Sequence, residues 1–378
     1  MQLAINALLA TSPITQEAID QFVRAHSFPL VEDSHVTFVF QGEADEIRLR
    51  HFIYGLPTAQ PFHRVAGTNF WYFILELPPG SRVEYKLEIS RGGHNEWIRD
   101  PLNRHLAHDP FGANSVCQGA GYSKPSWSEP HAETRPGTLQ DIVVRNSAFG
   151  GSRRVTVYLP ARFRATRRYP LLMVHDGGDY LKYASLKAVL DNLIHNLEVA
   201  PLIVALTHPV NRLDEYPDNQ AHGRFLAEQL LPLMEERYPV LGVPSARGLM
   251  GASFGGVASL STAWRYPGTF GRLLLQSGSF AFTDIGHHHR GPAFDRVVEF
   301  VNAFRTNPGK PSETVFMSSG TYESLIYENR SIVPLLQATG MTVRYEEAPD
   351  GHNWENWRDR LRVGLSWLFP GPLWMVYE

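Results

Sequence analysis

Cysteine is all but absent, Cys117 being the single one among 378 residues. No intrachain disulfide can form, so buried apolar surface must hold the chain together, and an oxidising compartment is not required. Long apolar runs are missing too. None approaches the roughly 20 residues that span a bilayer as a helix. Met1–Ala10 is apolar, but no basic segment precedes it and polar residues follow too soon for a secretory signal. A cytoplasmic protein that enters no membrane is expected. Neither sign of charge dominates: 35 Lys and Arg against 38 Asp and Glu leave a net charge of −3, which argues against a general nucleic-acid role. Internal repeats, charge runs and low-complexity tracts are lacking as well. The 16 histidines do not fall into metal-ligand spacings. His175-Asp176 has no second cluster to complete it, and His287-His288-His289 has no carboxylate or cysteine pattern around it. No metal and no cofactor are expected.

What the chain does have is enough apolar residue, 43% of 378, to fill a core in each of two domains. It also has 31 glycines, and two of them frame its most informative stretch, Gly251-Ala252-Ser253-Phe254-Gly255. The mostly apolar run Arg247–Met250 precedes this stretch, and Gly256–Tyr266 can pack as a helix that Pro267 and Gly268 end. A G-x-S-x-G motif between strand and helix reads as a nucleophile elbow with Ser253 at its tip. The sharp turn needs small neighbours, and it leaves the Phe254 amide at a helix N-terminus, free to donate to a developing oxyanion.

A serine hydroxyl barely ionises at neutral pH, so it needs a histidine base and usually a carboxylate to orient that base. In an α/β-hydrolase sheet these partners follow the serine in the order acid, then histidine, each on a loop after a late strand. Thr314–Ser319 is such a strand and Gly320-Thr321-Tyr322-Glu323 follows it. Thr342–Glu347 is the next, and the only histidine beyond it is His352, in a Gly-flanked loop ahead of a helix over about Trp354–Leu368. His352 is the candidate base and Glu323 the candidate acid. Glu328, five residues further on, and Asp350, on the loop of His352, stay open as alternatives. Tyr169–Val174 reads as a buried strand leading into His175-Asp176-Gly177-Gly178-Asp179-Tyr180, where the Gly177 or Gly178 amide is the candidate second oxyanion donor. Asp176 on this loop, with Arg212 and Arg224 in the long loop Pro209–Arg224 and Arg290 in Phe280–Pro292, are candidate substrate contacts, the cations suiting an anionic ligand.

The N-terminal part has a different period. A short helix is expected to start near Ser12-Pro13, with Ser12 as N-cap and Pro13 at N1. Strand-like runs follow at His35–Phe40, Glu46–Phe52, Asn69–Leu77 and Ser81–Ser90, with Val36, Phe38 and Phe40 on one face and Val83, Tyr85, Leu87 and Ile89 on another. Pro78-Pro79-Gly80 turns between the last two runs, and the whole reads as a β-sandwich of about a hundred residues. Because neighbours along a strand face opposite sides, at least one of Trp71 and Tyr72 belongs in its core, while an exposed one, or Trp97, would offer a stacking surface. The expected organisation is 1–118 helix and sandwich, 119–136 a proline-rich linker, and 137–378 the α/β domain.

From about Gly137 onward the chain resembles the esterase family that contains enterochelin esterases, feruloyl esterases and S-formylglutathione hydrolases. The marks are Val155–Pro160 (V-T-V-Y-L-P), Tyr169-Pro170-Leu171-Leu172 leading into His175-Asp176-Gly177-Gly178, Glu228–Pro232, the Ser253 elbow with Gly256, and Gly351-His352-Asn353-Trp354 with Trp357 and Arg358. Asp100-Pro101-Leu102-Asn103 resembles the stretch that closes the early-set, immunoglobulin-like sandwich of enterochelin esterases. The resemblance implies a doubly wound, mostly parallel α/β-hydrolase sheet behind a smaller β-sandwich. It implies that Ser253, Glu323 and His352 are the catalytic triad of an enzyme acting on a small-molecule ester, a catecholate siderophore in the enterochelin esterases. Feruloyl or acetyl esters of carbohydrate, with the sandwich binding sugar, are the alternative. A binding protein without turnover or an acyltransferase is the lesser one.

Overall fold

Alternating apolar residues build antiparallel sheets in the first hundred residues, because side chains along a strand point to opposite faces. The computed structural model describes residues 2–284 and 287–372. In it the chain divides into two units, one comprising Met1–Lys124, Gly320–Glu323 and Ala348–His352, the other comprising the rest. Against a single boundary within 119–136, this division assigns two short later segments to the N-terminal unit.

The N-terminal unit contains β1 (Leu30–Glu32), β2 (His35–Gln41), β3 (Glu46–His51), β4 (Ala59–Pro61), β5 (His63–Arg64), β6 (Phe70–Glu76), β7 (Arg82–Arg91), β8 (His94–Ile98), β9 (Leu106–Asp109) and β10 (Gly112–Gln118). One sheet runs β1-β2-β6-β5 and the other β4-β3-β7-β10-β9, with β8 paired to β7. Their registers set Phe38 opposite Phe73 and Leu49 opposite Leu87. Val36, Phe38 and Phe40 meet Leu49, Val83, Tyr85, Leu87 and Ile89 in the sandwich core, which also holds Trp71 and Cys117. Burial pushes the Cys117 thiol up to about 12. Tyr72 lies on the other face of its sheet, where Val39 and Phe70 pack with Ile5, Leu8, Ile19 and Phe22 of α1 (Ala4–Leu9) and α2 (Gln16–Ala25).

The helix start differs from the expectation. Ser12 and Pro13 lie in the turn between α1 and α2, and Thr15 is the N-cap of α2, its side chain accepting from the Ala18 amide. That i to i+3 bond, which satisfies an orphan helical amide, is available only three residues after the expected site. The Asp100-Pro101-Leu102-Asn103 stretch is tied down by buried bonds. Asp100 accepts from Tyr85 Oη at 2.6 Å and from the Leu102 amide at 2.9 Å, and Asn103 Nδ2 donates to Tyr85 Oη at 3.0 Å and the Val116 carbonyl at 2.8 Å.

In the C-terminal unit the strands are β11 (Thr138–Val144), β12 (Arg153–Leu159), β13 (Leu171–Val174), β14 (Ile203–Thr207), β15 (Arg247–Ala252), β16 (Arg272–Gln276), β17 (Thr314–Gly320) and β18 (Thr342–Ala348). They form one sheet in the order β11-β12-β14-β13-β15-β16-β17-β18, antiparallel at β11-β12-β14 and parallel from β14 through β17. The helices are α3 (Gly177–Tyr183), α4 (Leu186–His195), α5 (Arg212–Glu215), α6 (Gln220–Arg224), α7 (Leu231–Arg237), α8 (Phe254–Arg265), α9 (Asp295–Thr306), α10 (Ile326–Ala338) and α11 (Trp354–Leu368). Both faces of the sheet are covered. Met173, Leu249, Leu273 and Val315 join the residues of α8 and α9 on one side, while Leu172, Met250, Leu274 and Phe316 join α4 and α11 on the other. Continuous apolar strands are what a doubly covered parallel sheet requires. Strand order reverses at β13, whose neighbours are β14 and β15. Such a switch opens a crevice beyond the carboxyl ends of the strands, where open α/β sheets bind ligands. No helix among the described residues is long and apolar enough to cross a membrane.

Candidate active site

β15 ends at Ala252 and α8 begins at Phe254, leaving Ser253 alone to make the turn with φ 57° and ψ −122°. Few non-glycine residues adopt this backbone, and holding one there costs about 1–3 kcal/mol. The surroundings impose it: the Ser253 amide donates to the Gln276 carbonyl at 2.9 Å, and the Ser253 carbonyl accepts from Gly256 at 3.0 Å and Ser279 at 3.2 Å. A Cβ on Gly251 would stand 2.4 Å from the carbonyl carbon of Gly255, so this turn closes only with glycine at that position. Ser253 is half-buried, and its Oγ lies 3.1 Å from Ser279 Oγ. As the first helical residue, Phe254 has an amide without an intrahelical acceptor.

The loop after β13 supplies a second helix start. Asp176 adopts a left-handed conformation, φ 52° and ψ 40°, and its carbonyl accepts from the amides of Asp179 and Tyr180 at 3.0 Å each. The amides of Gly177 and Gly178 precede these and have no intrahelical acceptor. A Cβ on Gly177 would meet Leu206 Cβ at 2.3 Å, so glycine lets this helix lie against β14. One on Gly255 would meet His175 Cβ at 3.2 Å, which makes the two helix starts neighbours.

Beneath them lies an ion pair. Arg212 Nε donates to both oxygens of Asp176 at 3.0 Å, and its Nη2 donates to the Ala252 carbonyl at 3.2 Å. Asp176, expected to touch substrate, is instead turned inward with 1% of its side chain exposed, since a buried carboxylate needs a cation. Burial raises the Asp176 pKa and Arg212 opposes that rise. Arg212 thus reaches the elbow with its charge already matched. Arg224 is at neither helix start: Gly223 beside it abuts Tyr266, the residue that caps the far end of α8 from Ser253. Arg290 is paired to Glu328. Ile285 and Gly286, within the expected substrate loop, lie outside the described residues.

Two histidines that periodicity does not single out complete this region. His175 Nε2 is 2.9 Å from His222 Nε2, and His175 Nδ1 is 3.0 Å from the Met250 carbonyl. Burial pushes the His175 imidazole down to about 4 and holds His222 well below the usual histidine range. In the run His287-His288-His289, His288 pairs with Asp295, and no grouping of three or more metal-ligating side chains occurs among the described residues.

In the N-terminal unit, His352 Nδ1 lies 2.6 Å from Glu323 Oε2. Glu323 is buried, with 1% of its side chain exposed, while 35% of the His352 side chain is open. The Gly320 amide donates to the other oxygen, Glu323 Oε1, at 2.5 Å. The carboxylate of the pair is therefore fixed from both oxygens, and about a third of the imidazole side chain is exposed. The two alternative acids are engaged elsewhere, Glu328 with Arg290 and Asp350 with Arg82.

A covered mixed sheet with a strained serine between strand and helix is the α/β-hydrolase type of fold. The Esterase family model matches residues 146–368, more than half of the chain. The chain belongs to this family and is a carboxylic ester hydrolase. It is 24% identical over 339 residues to the iron(III) enterobactin esterase of Escherichia coli strain K12, covering 81% of each chain. The crystal structure of ferric enterobactin esterase from Salmonella typhimurium superposes with a TM-score of 0.72 at 21% identity, over 88% of this chain and 93% of that one. The enterobactin esterase of Shigella flexneri, crystallised in the presence of enterobactin, gives 0.70 at 21% identity, over 88% and 92%.

Proposed function

We propose that this esterase cleaves the ester bonds of a catecholate siderophore through an acyl-enzyme on Ser253. His352 Nε2 takes the Ser253 proton as Oγ attacks the ester carbonyl. The oxyanion receives hydrogen bonds from the Phe254 amide and from Gly177 or Gly178, each worth about 3 kcal/mol in such sites. Glu323 holds the imidazole in the tautomer with Nδ1 protonated and stabilises the imidazolium. The departing alcohol takes the proton from His352. Water then enters, gives a proton to the same nitrogen and bonds to the acyl carbon, and the Ser253 Oγ–acyl bond breaks as that nitrogen returns the proton to Oγ, releasing the acid. Iron, if carried, arrives as cargo of the substrate, and the cytoplasm, where an imported siderophore would be opened, is the proposed location.

The observation that carries the substrate class is the extent of the likeness to enterobactin esterase, 81% of both chains, which is more than the C-terminal unit alone supplies. The test is hydrolysis of enterobactin with and without iron, methyl ferulate and a short aryl acetate by wild type and Ser253→Ala. Efficient cleavage of the trilactone that is lost in Ser253→Ala supports the proposal. Preference for ferulate or acetate moves the substrate to carbohydrate esters, and activity persisting in Ser253→Ala refutes the nucleophile.

A further inference from the structure

We infer that the sandwich is part of the catalytic apparatus, with Arg82 as the positioning residue for the His352 loop and Ser81, through Tyr322, for the Glu323 loop. The inference rests on the assignment of His352 and Glu323 as base and acid.

Both residues lie on segments that belong to the N-terminal unit, Gly320–Glu323 and Ala348–His352. Arg82 opens β7 and has no exposed surface. Such a charge is buried only when paired. Its Nη1 donates to Asp350 Oδ1 at 3.2 Å, its Nη2 donates to Glu84 at 2.9 Å, and its amide donates to the Pro349 carbonyl at 3.0 Å. One residue thus grips two consecutive positions of the loop by backbone and side chain. Asp350 passes the constraint on. Its Oδ1 accepts from the Gly351 amide at 2.7 Å, which shapes the turn immediately before His352.

The second grip holds the neighbouring loop. Ser81 Oγ and Tyr322 Oη share a hydrogen bond at 2.6 Å, the Tyr54 amide donates to the Tyr322 carbonyl at 2.8 Å, and the Tyr322 ring packs against the sandwich core. The Tyr322 amide donates to Asp350 at 3.1 Å and Thr321 to Ala348 at 2.8 Å, so the two loops are bonded to each other as well. Arg82, the first residue of β7, and Ser81 just before it therefore set the positions of a base and its acid that are joined by a bond of 2.6 Å. A misplacement of about 1 Å in such a constellation costs on the order of a hundredfold in rate.

The test uses the full chain with Asp350→Asn and Tyr322→Phe. Asp350→Asn removes the charge that anchors the loop yet leaves Arg82 its partner Glu84, and Tyr322→Phe removes one hydroxyl. Each is expected to lower kcat about tenfold or more while KM stays within about twofold. Arg82→Met added to Asp350→Asn should cost little more, because both act through one contact. A second readout needs no turnover. In the Ser253→Ala background, the far-downfield proton resonance of His352 Nδ1–H against Glu323 should be sharp, and either substitution should broaden or remove it. If Asp350→Asn does not fold, Tyr322→Phe carries the test. Folded variants with wild-type kcat and an unchanged resonance overturn the inference. Hydrolysis that survives Ser253→Ala overturns the proposed function instead and leaves the resonance result standing.

Discussion

The buried His175–His222 pair should make the enzyme lose stability in mild acid. With Nε2 atoms 2.9 Å apart, the rings share one hydrogen, and protonating both would set two cations in contact out of water. Burial is the main cause of the low His175 pKa, Arg212 adds to it, and the hydrogen bond to Met250 opposes it. The folded group titrates at about 4 and the unfolded one at 6.5, so between these values the unfolded chain holds a proton that the folded chain refuses. Stability then rises with pH across this window, and it is lost as pH falls from 6.5 towards 4. By pH 5 the loss from His175 alone is roughly 2 kcal/mol at 1.36 kcal/mol per unit. His222 acts in the same direction. Asp176 and Asp179, whose pKa values burial raises, act in the opposite one and are common to wild type and variant. The assay is urea denaturation of wild type and His175→Gln at several pH values from 7.5 to 5 and constant ionic strength. The variant's amide can still donate to the Met250 carbonyl, so a constant offset is expected, and only the difference in slope matters. Equal slopes for the two proteins would refute the reasoning.

Three further outcomes follow from the site. Glu323→Gln keeps an oxygen for the Gly320 amide but loses the charge beside His352, and kcat should fall by about a thousandfold or more in a steady-state ester assay. Gly177→Ala drives a methyl into Leu206, and chemical denaturation should register a loss of about 1–3 kcal/mol together with a lower kcat. At Ser253 the backbone strain is independent of the hydroxyl. Ser253→Gly should therefore melt no lower than Ser253→Ala, although glycine elsewhere costs about 0.5–1 kcal/mol relative to alanine.

What was legible in the chain is what has a local signature. Apolar alternation gave β2 and β7, and the expected helix Trp354–Leu368 is α11 residue for residue. The G-x-S-x-G stretch does sit between a strand and a helix, and the order of the late strands pointed to Glu323 and His352, which are in hydrogen-bond contact. Long-range polar contacts have no such signature. Arg82 and Asp350 are 268 positions apart, and His175 and His222 are 47 apart, so neither pair leaves a trace in periodicity. The partners of the candidate cations were hidden for a related reason. Loop position suggested that Arg212, Arg224 and Arg290 were free to meet an anion, whereas the fold matched Arg212 to Asp176 and Arg290 to Glu328 and put Arg224 by Tyr266. Ser279, against Ser253, carries no sequence signature, because nothing in the run after β16 distinguishes it.

The central claim, that Ser253 is the nucleophile activated by His352, is tested most directly by covalent trapping. Wild type, Ser253→Ala and His352→Ala would each be treated with a fluorophosphonate, digested and mapped by mass spectrometry. The account predicts one adduct on Ser253 in the wild type, none in Ser253→Ala, and much slower labelling in His352→Ala. An adduct on another residue, or labelling of Ser253 at an unchanged rate without His352, would contradict it.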